Sequence, residues 1–220
     1  MAGAVVFDMD GTLTDSEETW DIVRRGLATS EGLAWPDGST QAMMGMSTQE
    51  WASHLVDVVG LSGTPEDAAR RTIEGMQAAY HRGIQLLPGA LEVIERLGEH
   101  WRLGLASSSP RVLIEAGLEA MGATDKFAVT ISTEELNAGK PAPDVYLEAA
   151  RRLGVEPRYA VAIEDAPNGI KSAHAAGLSV IAVPPHFHPP SAEVLELADV
   201  VVDSLDDISV DLVKNLIERR

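Results

Sequence analysis

Apolar and polar positions follow two different periods along this chain, and the switches between them mark out its elements. The run Ala4-Val5-Val6-Phe7 is wholly apolar and stops at Asp8. Such a run predicts a strand buried on both faces. Over 16–31 the period becomes helical, with Trp20, Ile22, Val23 and Leu27 as the apolar stripe and Gly32 where a helix would stop. Trp35-Pro36-Asp37-Gly38 is a turn, and a short helix over 41–44 ends at Gly45. Ser47 with Glu50 three residues later forms a capping box that opens a helix over 47–59. Thr64-Pro65-Glu66-Asp67, with proline in the first turn, opens another over 64–81. Between 15 and 86 the pattern predicts helices only.

Beyond Pro88 the two periods alternate. Helices are predicted over 89–98, 111–121, 144–153, 168–176 and 208–217. Strands are predicted over 102–106, 127–131, 159–163, 179–183 and 200–202. Strands separated by helices of this length require right-handed crossovers, hence a parallel sheet covered on both faces. The expected fold is α/β, a doubly wound, Rossmann-like parallel-sheet core with an inserted all-helical cap. The core takes 1–14 and 87–220, the cap 15–86. Both ends of the insert emerge at the carboxyl edge of the sheet, so the cap sits above that edge. No internal repeat or low-complexity segment interrupts the pattern.

Composition narrows the partners. A chain of 220 residues can bury a sizeable core. The formal net charge of −17 disfavours nucleic acid and anionic membranes, which need a basic face. There is no cysteine, which removes disulfides, thiolate catalysis and zinc–thiolate sites. No secretory signal is visible, and no apolar run approaches the ~20 residues that span a bilayer. The expectation is a cytoplasmic protein, monomeric or weakly dimeric, acting on a small molecule.

Four strand ends carry polar residues of different kinds: Asp8 and Asp10, then Ser107 and Ser108, then Lys140, then Glu164 and Asp165. In a parallel sheet these converge on the edge where open α/β sheets bind ligands. Four acids together repel one another unless a cation neutralises them. An all-oxygen donor set suits Mg²⁺, which pairs with carboxylates and substrate phosphate. Serines between a strand and a helix offer hydroxyls and free N–H groups to an anion. Lys140 adds a point charge held by the flanking prolines. Metal, positive clamp, nucleophile and proton carrier are the parts of phosphoryl transfer. Of the two acids after the first strand, one can attack phosphorus and the other can act as general acid and base.

Asp8-Met9-Asp10-Gly11-Thr12 resembles the first motif of the haloacid dehalogenase-like phosphatases. Ser107, Lys140 and Glu164-Asp165 fall where that family has its second, third and fourth motifs. The resemblance covers essentially the whole chain. It implies that Asp8 is the nucleophile and a Mg²⁺ ligand, and that Asp10 is the general acid/base and gives its backbone carbonyl to the metal. It further implies that Gly11, Thr12, Ser107, Ser108 and Lys140 surround the phosphoryl group, and that Asp165 with Glu164 completes the metal site.

The cap type and the segments 106–109 and 140–144 resemble the β-phosphoglucomutase-like branch. The mutases carry histidine where this chain has Trp20 and arginine where it has Thr48. Ser16-Glu17 with Trp20-Asp21 is more similar to the sugar-phosphate phosphatases. The implied activity is Mg²⁺-dependent hydrolysis of a sugar or polyol phosphate. A phosphomutase and a non-catalytic metabolite-binding protein are the alternatives. Trp20, Gly45 and Met46 are candidate substrate contacts from the cap, and Trp51 a candidate for its core. His186 and His188 invite a metal reading, but the flanking prolines and the lack of a third nitrogen ligand favour a surface loop.

Overall fold

The computed structural model describes residues 3–44, 46–186 and 189–219. Its order is β1 (Ala4–Phe7), α1 (Glu17–Ser30), α2 (Ser39–Met43), α3 (Thr48–His54), α4 (Pro65–Tyr80), α5 (Ala90–Gly98), β2 (Arg102–Ser107), α6 (Arg111–Ala120) and β3 (Val129–Ser132). There follow α7 (Asp144–Leu153), β4 (Ala160–Glu164), α8 (Pro167–Ala175), β5 (Ser179–Ala182), α9 (Ala192–Leu195), β6 (Val200–Val201) and α10 (Val210–Glu218). The six strands form one parallel sheet in the order β3-β2-β1-β4-β5-β6. The chain winds outward from β1 to β3, then crosses back to β4 on the other side of β1. The reversal opens a crevice beyond the carboxyl ends of β1 and β4.

Alternation along β1 sends its side chains to two cores. Val5 and Phe7 join α5, α6 and α10 on one face, and Ala4 and Val6 join α7 and α8 on the other. All four are fully buried, which is why the run carries no polar residue.

Between Asp15 and Gln85 the described chain holds helices and no strand. These helices share a third apolar cluster, centred on Trp20, Met43, Trp51, Leu55 and Met76. The capping boxes at Ser47 and Thr64 form as expected. The outgoing and returning chains lie side by side. Asp15 N donates to Gln85 O at 2.9 Å and Leu87 N to Leu13 O at 3.0 Å.

Three details depart from the sequence expectation. Ile22 is 62% exposed, because the buried face of α1 follows the spacing Trp20, Arg24, Ala28. The third strand begins at Val129, not 127. Phe127 instead turns its ring edge-on to Phe7 with centroids 6.0 Å apart. The segment 192–195 adds a short helix that no apolar period announced.

Candidate functional site

The first strand ends in a tight loop built on Met9, whose carbonyl accepts from Leu13 N at 2.9 Å and Thr14 N at 3.0 Å. Gly11 has φ +88° there, and a Cβ on it would lie 2.3 Å from Asp165 Oδ2. Both the backbone conformation and the close approach require glycine. The loop turns Asp8 and Asp10 in different directions.

Asp8 faces the crevice between β1 and β4. Its Oδ1 accepts from Lys140 Nζ at 2.6 Å, and the same Nζ donates to Glu164 Oε1 at 2.6 Å and to Ala106 O at 3.0 Å. Tyr146 OH, from α7, donates to Glu164 Oε1 at 2.5 Å. Thr12 Oγ1 donates to Asp165 Oδ1 at 2.8 Å. One ligand oxygen from each of Asp8, Glu164 and Asp165 lies within 4.8 Å of the others, and all three residues are buried.

This group is short of positive charge. Burial pushes the Asp8 carboxyl up to about 8, with Lys140 pulling against it and Glu164 adding to it. Burial, then the charges of Asp8 and Glu164, hold Asp165 well above the ordinary carboxylate range. For Lys140 burial works against the charge, but Asp8 and Glu164 outweigh it and keep the ammonium form. Three acids thus face one lysine. Glu164 Oε2 is buried with no hydrogen-bond partner, in a cradle where a Cβ on Gly169 would fall 1.9 Å from the carboxylate. An all-oxygen triad with an orphaned oxygen and excess negative charge fits a hard divalent cation such as Mg²⁺.

Asp10 points away from the triad, toward the helical segment. Its Oδ1 accepts from Ser16 Oγ at 2.6 Å, Trp20 Nε1 at 3.3 Å and Tyr80 OH at 3.3 Å, and its Oδ2 accepts from Ser109 Oγ at 2.7 Å. Three of the four donors come from α1, its N-cap and the end of α4. Ser16 occupies the N-cap of α1 but spends its hydroxyl on Asp10, making no cap bond of its own.

The serines after β2 divide their work. Ser107 Oγ accepts from Ser109 N at 3.0 Å, and Ser132 Oγ holds the Ser109 carbonyl at 2.7 Å. A cavity of about 120 Å³ joins these elements. Asp8, Asp10, Ser107, Ser108, Lys140, Glu164 and Asp165 border it from the sheet side, and Trp20, Arg24, Met46 and Trp51 from the helical side. Seven of the residues singled out from strand ends therefore meet at one place, with Trp20 and Met46 opposite. Gly11 and Thr12 shape the loop behind Asp165. Gly45 and His188 lie outside the described residues, and His186 is exposed on the loop after β5.

Arg24, Tyr80, Tyr146 and Gly169 belong to the site and are not singled out by the sequence, whereas Ser16 and Ser109 enter there only within the segments that carry the family resemblance. Ser109 closes a run of three serines that the sequence offers no means of ranking. Arg24 shares the buried face with Trp20 at a spacing of four, a signal its charge conceals.

The family model described as haloacid dehalogenase-like hydrolase matches residues 2–177. Hexitol phosphatase A of Escherichia coli is 34% identical over 214 residues, covering 93% of this chain and 92% of that protein. The bifunctional riboflavin kinase/FMN phosphatase of Arabidopsis thaliana is 32% identical over 213 residues, 96% of this chain. The chain spans only 55% of that relative's length. The crystal structure of CbbY from Rhodobacter sphaeroides in complex with phosphate is similar with a TM-score of 0.86 at 27% identity, covering 97% of this chain and 100% of that one.

Proposed function

Because this chain belongs to the haloacid dehalogenase-like hydrolases, we propose that it is a Mg²⁺-dependent phosphatase of a small sugar or polyol phosphate, working through an aspartyl-phosphate on Asp8. Hexitol phosphatase A and the bifunctional riboflavin kinase/FMN phosphatase are phosphatases by name, which supports hydrolysis of a phosphoric monoester.

The observation that carries the reading is the opposite surroundings of two aspartates spaced two apart. Asp8 sits among Lys140, Glu164 and Asp165, and Asp10 among four neutral donors. A carboxylate beside a buried cation suits attack on phosphorus. A carboxyl held by hydroxyls and an indole, next to the cavity, suits proton transfer.

In the first step an Asp8 oxygen forms a bond to phosphorus and the bond from phosphorus to the alcohol oxygen breaks. Asp10 gives its proton to that oxygen, and the alcohol leaves. In the second step a water attacks phosphorus and loses its proton to Asp10. The bond from phosphorus to Asp8 breaks and inorganic phosphate departs. Asp8, Glu164 and Asp165 are the residues that would hold Mg²⁺, which when bound offsets the negative charge gathered on the phosphoryl oxygens. Lys140 and Ser107 hold the phosphoryl group in place.

The segment 15–86 acts as the cap over a core of 1–14 and 87–220. Three of the donors to Asp10 belong to the cap side, so its position over the core orients the proton carrier and excludes bulk water. A cavity of this size suits a small metabolite as leaving group.

A phosphate-release screen over hexitol, hexose, glycerol and nucleoside monophosphates, with Mg²⁺ and with EDTA, tests this reading. Mg²⁺-dependent release from sugar or polyol esters is the expected result. A hexose 1-phosphate converted to its isomer without free phosphate would instead make the protein a mutase. Thr48 and Trp20, standing where the mutases have arginine and histidine, argue against that outcome.

A further inference from the structure

One charged side chain in the cavity has no use in the steps above. Arg24, on the buried face of α1, is only 8% exposed. Its Nε is buried without a hydrogen-bond partner, and it takes part in no hydrogen bond or ion pair among the described residues. Its guanidinium carbon lies 4.6 Å from the ring centre of Trp20 and 5.1 Å from that of Trp51, whose centroids are 5.8 Å apart. The two indoles fix the planar group at the cavity wall and meet part of the cost of burying it.

The neighbouring acids do not complete it. Asp21 accepts from Arg25 Nε at 2.5 Å on one oxygen and from Thr40 Oγ1 on the other. Asp10 already accepts four bonds. Neither comes within 4.0 Å of Arg24 as an ion-pair partner. Both contribute a long-range field that favours the ionised form, against the larger effect of burial. A buried cation whose fork of donors is unfilled, bordering the same cavity as Asp8, is a half-built anion site.

We propose that Arg24 binds a second anionic oxygen group, a carboxylate or a second phosphate, on the leaving-group end of the substrate. The inference rests on the phosphatase reading above and deepens it: among sugar and polyol phosphates, those whose leaving group also carries a carboxylate or a second phosphate are the preferred substrates, and esters with a neutral tail are turned over more slowly. A neutral hydroxyl would accept from Arg24 but leave its charge uncompensated, whereas a carboxylate or phosphate oxygen pair matches the fork and the charge together. Two other features support this choice. The indole contacts pre-order the guanidinium, so little side-chain freedom is lost on binding. Met43, Met44 and Met46 line the same cavity, and Asp21 and Thr40, which border it with them, are already bonded to each other and to Arg25.

The test separates binding from turnover. Two non-hydrolysable probes of equal length, 3-phosphonopropionate and propylphosphonate, are titrated against the full chain in Mg²⁺, read by tryptophan fluorescence. The carboxylate-bearing probe is expected to bind about tenfold more tightly to the unmutated protein. In Arg24→Gln the two probes should bind equally, within about twofold, with the weaker affinity unchanged. Arg24→Lys, which keeps the charge but loses the fork, should retain only part of the preference and covers the case in which the glutamine variant does not fold.

Equal affinity for both probes in the unmutated protein overturns the inference, as does a preference that survives in Arg24→Gln. Turnover of 3-phosphoglycerate, 1,3-propanediol bisphosphate and glycerol 3-phosphate then separates the carboxylate source from the phosphate source. If esters are hydrolysed with no regard to the tail, the Arg24 inference fails and the phosphatase reading stands. If the probe preference holds and no ester is hydrolysed, the phosphatase reading fails alone.

Discussion

Replacing Gly169 by alanine isolates the geometry of the acidic triad from its chemistry. Gly169 lies in the first turn of α8, and a Cβ there would fall 1.9 Å from Glu164 Cδ and Oε1 and 2.0 Å from Oε2. A flexible surface glutamate would swing aside at little cost. Glu164 is fully buried and held by Lys140 at 2.6 Å and Tyr146 at 2.5 Å, so it has no alternative position that keeps both bonds. Alanine gains about 0.5–1 kcal/mol over glycine from backbone entropy in a helix. Against that, overpacking costs about 1–3 kcal/mol. Loosening a buried, hydrogen-bonded charge adds a share of the roughly 3–5 kcal/mol that breaking such a pair costs.

The net expectation is a loss of about 2–4 kcal/mol, which for a chain of this size lowers Tm by roughly 5–15 °C. Gly26→Ala is the control. Gly26 is inside α1 with nothing within 4 Å of the added Cβ, so Tm should stay level or rise. Thermal melts by circular dichroism, run with EDTA and with Mg²⁺, read both variants. The Gly169 variant should also lose most of the Mg²⁺-induced rise in Tm, because Glu164 is displaced from the triad. A Gly169→Ala protein that melts within 2 °C of the unmutated one and responds fully to Mg²⁺ would refute this reading of the cradle.

Further expectations follow from the same contacts. Tyr80→Phe removes one 3.3 Å donor to Asp10 and loses the phenol's contact with Ser16, which itself donates to Asp10. The loss of about 1 kcal/mol should appear as a roughly fivefold fall in kcat with KM little changed. Lys140→Met leaves Asp8 and Glu164 buried without their cation, so Tm should drop in EDTA by the equivalent of roughly 3–5 kcal/mol and activity should vanish. The metal-free protein should lose stability as pH rises. The folded state holds protons on Asp8 up to about 8, and on Asp165 well above its ordinary value, while the unfolded chain releases them near 3.8. Between those values the folded state binds more protons, so denaturant midpoints in EDTA should fall from about pH 5 to about pH 8. Saturating Mg²⁺ should flatten that slope, and an unchanged slope would count against the triad as a cation site.

Much of this could be read from the sequence because strand ends announce themselves. An apolar run that stops at Asp8, or at Glu164 and Asp165, has only one edge of a parallel sheet to go to, and the switch in strand order brings those ends together. The residues that stayed hidden reach the site by other routes. Tyr80 is 70 positions from Asp10 and meets it only because α4 folds back over the core. Arg24 carries a charge, which the hydrophobic period treats as solvent-facing, although α1 turns it inward beside Trp20 and Ala28. The same period puts Ile22 on the buried stripe because it is apolar, although it faces solvent. The necessity of Gly169 depends on how the turn between β4 and α8 lays it against the Glu164 carboxylate, a contact set by the geometry of that turn and not by any apolar period.

The central claim is that Asp8 carries the phosphoryl group between two steps that Asp10 serves with protons. Mass spectrometry of acid-quenched protein during turnover measures it directly. The peptide containing Asp8 should gain the mass of one phosphoryl group in the unmutated protein, far less in Asp10→Asn, where the first step lacks its acid, and none in Asp8→Asn. Turnover by the Asp8→Asn protein, or a phosphoryl group found on any other residue, would contradict the account.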